Sequence, residues 1–339
     1  MKIPSLDEIN RETGRHAFDL EGFAWGRGVD DGKNWCPEQL THLFYCPSYD
    51  LLEPDEKRYY NQLFAMGVCE QFLLLEDILL VRGMRRIIDA AGKRLSPDLR
   101  IGMENLIIEE KKHGEMFRRL LRTSAPDLYR DRDLVIYDMS RRDSMMVDFF
   151  LWGTPVFVSW VFVAMIFEEK SIDFYRKYLA AESSEDLDPL YREVHRKHAQ
   201  EEVRHVQIDH YLVDLFWDQA PAWKKRLNHW IFYFIMTKFA RPERTVRRML
   251  DLLVTRFPRL QAINERLVGE AMAVAGDPEW QRASYSPIAQ PRTFAIFERY
   301  PDFQLLERIF PQYRQPAPVP LKADSSRRMQ RRRAAHIRL

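Results

Sequence analysis

Two glutamates in this chain each stand three residues before a histidine, in Glu110-Lys-Lys-His113 and Glu202-Val-Arg-His205. The motifs lie 92 residues apart and there is no third. On a helix, residues three and four apart share a face, so each motif presents a carboxylate and an imidazole in one direction, as metal ligands are presented. Counting back 34 residues from each glutamate finds another, Glu76 before Glu110 and Glu168 before Glu202, both in strongly apolar stretches. The arrangement Glu, 34 residues, Glu-x-x-His therefore occurs twice. Four carboxylates balance the four positive charges of two divalent ions, which lets charged groups occupy an apolar core where unpaired charge is costly. Carboxylates also bridge two metals, and one imidazole per metal adds a neutral ligand. The chemistry is that of a di-iron centre, with manganese compatible with the same set.

The duplicated spacing chooses between neighbours. Both Glu168 and Glu169 are available, but adding 92 to Glu76 gives 168, and Glu168 shares its helical face with Ala164, Ile172 and Tyr175. Glu169 shares its face with Asp173 and Arg176, a pattern that reads as solvated. Glu110 and Glu202 outrank Glu109 and Glu201 because only they stand three residues before a histidine. His198 lies one turn before Glu202 and on its face. By position it is either a seventh ligand or a satisfied core histidine, and both readings stand at this point. His195, a further turn back, reads as a residue behind the ligands or partly exposed.

Long helices are needed to position these groups. Pro54-Asp55-Glu56 opens a helical pattern that runs to about Ala91, where Gly92 ends it. Ser96-Pro97-Asp98 caps a second helix running to about Arg122. A third covers roughly 146–181, with Pro155 as an internal kink or the true start, and a fourth covers about 189–217. Each pair of long helices can fold into an antiparallel hairpin, and two hairpins packed together make a four-helix bundle with the ligands directed inward. Further helices are expected near 221–239, 242–256 and 258–275. No segment shows a bounded period-two strand pattern. The expected fold is all-α, a ferritin-like four-helix bundle with a di-iron centre and extra N- and C-terminal helices. It divides into a wrapping segment over 1–53, the helical domain over 54–275, and an irregular segment over 276–339 that ends in a basic tail.

Bulk properties exclude other classes. The 339 residues are ample for a large core, and 52 basic against 50 acidic side chains leave no global charge to attract nucleic acid or anionic lipid. The run from Arg327 to Arg333 reads as a solvated tail. Cys36, Cys46 and Cys69 form neither a C-x-x-C motif nor a disulfide framework. The N-terminus has no apolar signal region, and the longest apolar run, Val156 to Phe167, is shorter than a membrane span of about 20 residues. A cytoplasmic protein without membrane attachment is expected. A metal-storage bundle needs only about half this length, which argues against that role. Phe117 stands where the radical-generating subunit of ribonucleotide reductase would place a tyrosine.

Three stretches carry a resemblance: Val68-Cys69-Glu70-Gln71-Phe72-Leu-Leu-Leu-Glu76, Glu109-Glu110-Lys-Lys-His113 and His198-x-x-x-Glu202-x-x-His205. With them, the chain from about residue 45 to 217 resembles the AurF/CmlI-type di-iron N-oxygenases, whose founding members oxidise an aryl amine to a nitro group. The histidine four residues before the second motif's glutamate is the feature that separates this family from most ferritin-like proteins. The resemblance implies that Glu76, Glu110, His113, Glu168, His198, Glu202 and His205 hold two irons, which favours the ligand reading of His198. It further implies O2 as co-substrate, a small amine as substrate, and a role in secondary metabolism. A reductase or electron carrier must supply electrons, since no dinucleotide fingerprint is present. A homodimer is an expectation at the level of the family. The founding members' substrate does not follow from the metal motifs. A C–H hydroxylase or other oxidase on the same scaffold is the alternative, followed by a non-catalytic iron-oxidation protein.

Overall fold

The computed structural model describes residues 3–309 apart from 138–139, 155, 182–184 and 241. After α1 (Leu6–His16) and a series of short 3-10 turns, the first long helix begins as α2 (Pro54–Leu73). Pro54 sits at its first position, and Glu53 and Glu56 each bind the other's backbone N–H in a capping box. The helix widens into π turns over Leu74–Leu80 and continues as α3 (Val81–Ala91). The return helix α4 (Pro97–Ser124) starts at Ser96, whose hydroxyl accepts from Leu99 N. Together they form the first antiparallel hairpin.

A short α5 (Pro126–Tyr129) and α6 (Arg141–Trp152) lead to the second hairpin, α7 (Ser159–Ala181) and α8 (Pro189–Val213). Asp188 caps α8 by accepting from Leu190 N and Tyr191 N. The helix expected over roughly 146–181 is therefore two helices. Gly153, where the chain leaves α6, and the break up to Ser159 separate them, and the aromatic-rich sequence hides that break. Pro155 itself lies outside the described residues.

The four long helices pack as a bundle, α7 along α8, α4 against both α2 and α8, and the π turns against α4 and α7. Gly114 allows the closest of these approaches: a Cβ there would lie 2.8 Å from Cβ of Asp77 in the π turns. Buried Glu70 accepts from Tyr129 Oη and from the amides of Val135, Ile136 and Tyr137, tying the inter-hairpin loop to α2. In the N-terminal segment, the Phe18 ring stacks 6.4 Å from that of His113.

Beyond the bundle run α9 (Ala222–Ala240), α10 (Glu243–Arg256) and α11 (Asn264–Ala273). The segment after Gly276, expected to be irregular, carries α12 (Pro278–Ser284) and α13 (Pro291–Arg299). Both begin with proline, which suits a first helical position as well as it suits a loop. Among the described residues there is no strand, and no helix is long and apolar enough to cross a membrane. The basic run from Arg327 to Arg333 lies outside the described residues.

Candidate metal centre

Midway along the bundle, four helices deliver seven acidic and imidazole side chains to one buried region. Glu76 comes from the π turns, Glu110 and His113 from α4, Glu168 from α7, and His198, Glu202 and His205 from α8; none exceeds 2% exposure. A π turn re-aims side chains relative to a regular helix and recurs at functional sites, and here one surrounds Glu76.

Six of the seven form two overlapping groups able to hold a cation: Glu76, His113, His198 and Glu202, and Glu110, His113, Glu202 and His205. His113 Nδ1 lies 3.3 Å from Glu110 and 3.2 Å from Glu202, and His205 Nδ1 lies 3.0 Å and 3.2 Å from the same two. His198 enters through its other nitrogen, with Nε2 3.2 Å from Glu76 and 2.9 Å from Glu202. Glu168 stands outside both groups. It is nonetheless buried, with neither oxygen hydrogen-bonded, and burial followed by the neighbouring Asp209 holds its carboxyl well above the usual range.

The donor set fits a dinuclear cation site. Glu76 Oε1 and both Glu168 oxygens are buried without a hydrogen-bond partner. Glu110 Oε1 and Glu202 Oε1 approach imidazole nitrogens without the alignment of a hydrogen bond. Burial raises the Glu76 carboxyl to about 7 against the opposing pull of His198, with Glu110 and Glu202 adding to the rise. Carboxylates buried in this way call for positive charge, which two divalent ions would supply.

The doublets Glu109-Glu110 and Glu201-Glu202 give the outer residues a role that sequence spacing had passed over. Glu109 accepts from His205 Nε2 at 2.8 Å and from Arg204 Nη2 at 2.6 Å. Glu201 accepts from His113 Nε2 at 2.9 Å and from Lys112 Nζ at 2.6 Å. Each hairpin thus carries the carboxylate that orients the other hairpin's histidine. With Nε2–H donated outward, each Nδ1 lone pair faces the carboxylate cluster. Burial disfavours the Glu109 anion, but His205 and Arg204 outweigh it and bring the carboxyl down to about 2. The signal was available in the sequence, since Glu-Glu-x-x-His occurs twice.

One expectation is overturned, and two further buried residues are placed near the ligands. Glu169 is not solvated: it is 1% exposed and caps α13, accepting from Arg292 N at 2.9 Å and Thr293 N at 2.8 Å. His195 is buried with no hydrogen bond at either nitrogen, enclosed by the rings of Phe72, Phe117, Phe174 and Tyr178. Asp209, one turn after His205 on the same face, is fully buried beside Glu168, and burial raises its carboxyl to about 8. The three cysteines are free thiols, in line with their spacing, and all three are buried.

A four-helix bundle that turns two Glu-x-x-His motifs and two further glutamates toward one buried point defines the ferritin-like class of carboxylate-rich di-metal proteins. Within that class the chain is placed by a family model, p-aminobenzoate N-oxygenase AurF, which matches residues 6–289. The chain belongs to that family of di-iron N-oxygenases. No curated protein matches it.

Proposed function

We propose that this protein is an O2-dependent N-oxygenase of a small amine, with two irons held by Glu76, Glu110, His113, Glu168, His198, Glu202 and His205. The observation that carries the reading is the position of His198. Its Nε2 points into the carboxylate cluster, between Glu76 and Glu202, in a chain of the N-oxygenase family. The irons, when bound and reduced, supply O2 activation. One oxygen atom goes to the amine nitrogen and the other leaves as water, with two electrons from a reductase or electron carrier and two protons per hydroxylation.

The chain's own residues set the conditions for that chemistry. Glu109 and Glu201 fix the histidine orientations. Phe72 and Phe117 pack 4.9 Å and 5.0 Å from the His198 ring and keep water from that side. Their apolar contact also withholds any hydrogen-bond partner from His198 Nδ1. The test is to load the protein with iron, reduce it, and expose it to O2 with a panel of aryl and alkyl amines. The expected result is one oxygen atom added per step at nitrogen, read by mass spectrometry. Oxidation confined to carbon would replace this reading with that of a C–H hydroxylase.

His198→Ala tests the seventh ligand. The variant is expected to keep its helical circular dichroism while losing roughly 10- to 100-fold in iron affinity, on the scale of perturbed metal sites. Its visible spectrum should change as well. Unchanged iron content and spectrum would remove His198 from the ligand set.

A further inference from the structure

On α6 and α9 the large apolar side chains left exposed fall at helical spacing. They are Met145, Phe149 and Trp152 on α6, and Trp223, Leu227, Trp230 and Phe234 on α9. Trp152, Trp223 and Trp230 are 70%, 62% and 53% exposed, whereas the other five tryptophans are buried or partly buried. The two stripes meet at the link between α6 and α7. There Asn228 of α9 accepts from Ser159 N at 3.0 Å and donates to the Val156 carbonyl at 2.8 Å. Exposed apolar surface grouped in this way marks a protein or membrane contact.

The charge around the stripes separates these two. The chain as a whole is nearly neutral, but α9 carries Lys224, Lys225, Arg226 and Lys238 and no acidic residue. Residues 81–94, covering α3 beside α6 and the turn after it, add five basic residues against Asp89 alone. Arg94 of that turn is near enough to Lys224 that, after burial, its charge lowers the Lys224 pKa. The acids of α6 are already paired, Asp148 with Arg82 at 2.6 Å and Asp143 with Arg244 at 2.8 Å. Asp218, just before α9, accepts from the Tyr300 hydroxyl. Cations in the first turns of α9 also oppose its dipole, a placement that an external anion relieves. In a two-fold dimer this face would meet its own copy, basic side chains against basic side chains. An anionic bilayer surface complements both features. Its head groups pair with the cations, and its interfacial layer takes up tryptophan rings while their N–H groups stay wet.

We propose that the face built from α6 and α9 seats the protein on an anionic membrane surface, with its tryptophans in the head-group layer and Lys224, Lys225 and Arg226 against the lipid charges. The helices lie on the bilayer; no described helix is long and apolar enough to cross it. The near-neutral balance of the whole chain, which gives no global pull toward such lipid, does not hold on this face.

The experiment is co-sedimentation of the iron-loaded protein with vesicles of pure phosphatidylcholine and of phosphatidylcholine mixed with phosphatidylserine. Partitioning onto the mixed vesicles is expected to be at least about 10-fold stronger, and to weaken as salt is raised. Lys225→Gln/Arg226→Gln should remove about 10-fold of that binding. Trp152→Ser/Trp223→Ser/Trp230→Ser should lose at least about 10-fold, with helical circular dichroism and iron content unchanged. No binding to mixed vesicles, equal binding to both kinds, or full binding by the tryptophan variant would overturn the proposal. So would a dimer in vesicle-free buffer that the tryptophan variant converts to a monomer, which would assign the face to a second copy of the chain.

Discussion

Glu202→Ala is expected to reduce bound metal from about two ions per chain to less than about half an ion, and to abolish oxygenation. Glu202 is one of two residues common to both cation-binding groups, the other being His113. Its carboxylate lies within 3.2 Å of nitrogens on His113, His198 and His205, three of the four histidines of the region. Removing it leaves Glu76, Glu110 and Glu168, three carboxylates against the four positive charges of two divalent ions in a buried site, and takes away the one carboxylate that three histidines share. Because metal binding to the native state adds to folding stability, the variant should also lose the rise in Tm that iron confers on the wild type. Metal analysis after gel filtration, with melting curves taken with and without iron, reads both effects. Retention of full metal content by the variant would refute the assignment of Glu202 as a shared ligand.

Glu109→Ala is expected to be the most destabilising change at the site in the metal-free protein, at roughly 3 kcal/mol, the scale of a broken buried pair. Arg204 is 5% exposed, and without Glu109 its guanidinium keeps only the Gln200 carbonyl at 3.4 Å and, as an acidic partner, Glu201 at 3.8 Å. Glu201→Ala leaves Lys112 instead, whose side chain is 19% exposed and can turn toward water, so its cost should be about 1 kcal/mol. Both variants free a histidine Nε2 and should weaken metal binding by about 10- to 100-fold. Urea unfolding of the apo forms separates the two costs from the shared loss of metal affinity. Equal stability of the two variants would show that the charge on Arg204 is not held by Glu109.

What could be read in advance followed the distance over which each feature is determined. Helices of 20 or more residues with repeated Glu-x-x-His carry their meaning in local spacing, so the helical bundle and the burial of the motif residues were legible, while Glu168 and Glu169 both prove buried and Glu168 stands outside the two cation-binding groups. Glu169 was misread because its neighbours Asp173 and Arg176 suggest a wet face. Its real partners are backbone amides more than 120 residues later, which no local pattern announces. The break between α6 and α7 was signalled only by Pro155, readable as a kink or as the true start, because aromatic residues fit a core helix and a buried turn equally well. Asp209 was passed over although it continues the i, i+4 column of His205; an aspartate beyond the last motif residue has no duplicated counterpart to point to it.

The crossed orientation of the histidines also constrains how the molecule matures. Neither hairpin can aim its own imidazole, since Glu109 serves His205 and Glu201 serves His113. An isolated half would keep only the ring's contact with the glutamate three residues before it, 3.3 Å for His113 and Glu110 and 3.2 Å for His205 and Glu202, a poorer trap for an ion. Competent metal capture therefore waits until α4 and α8 have docked, and the ion enters a site whose geometry is already checked by the assembly of both halves.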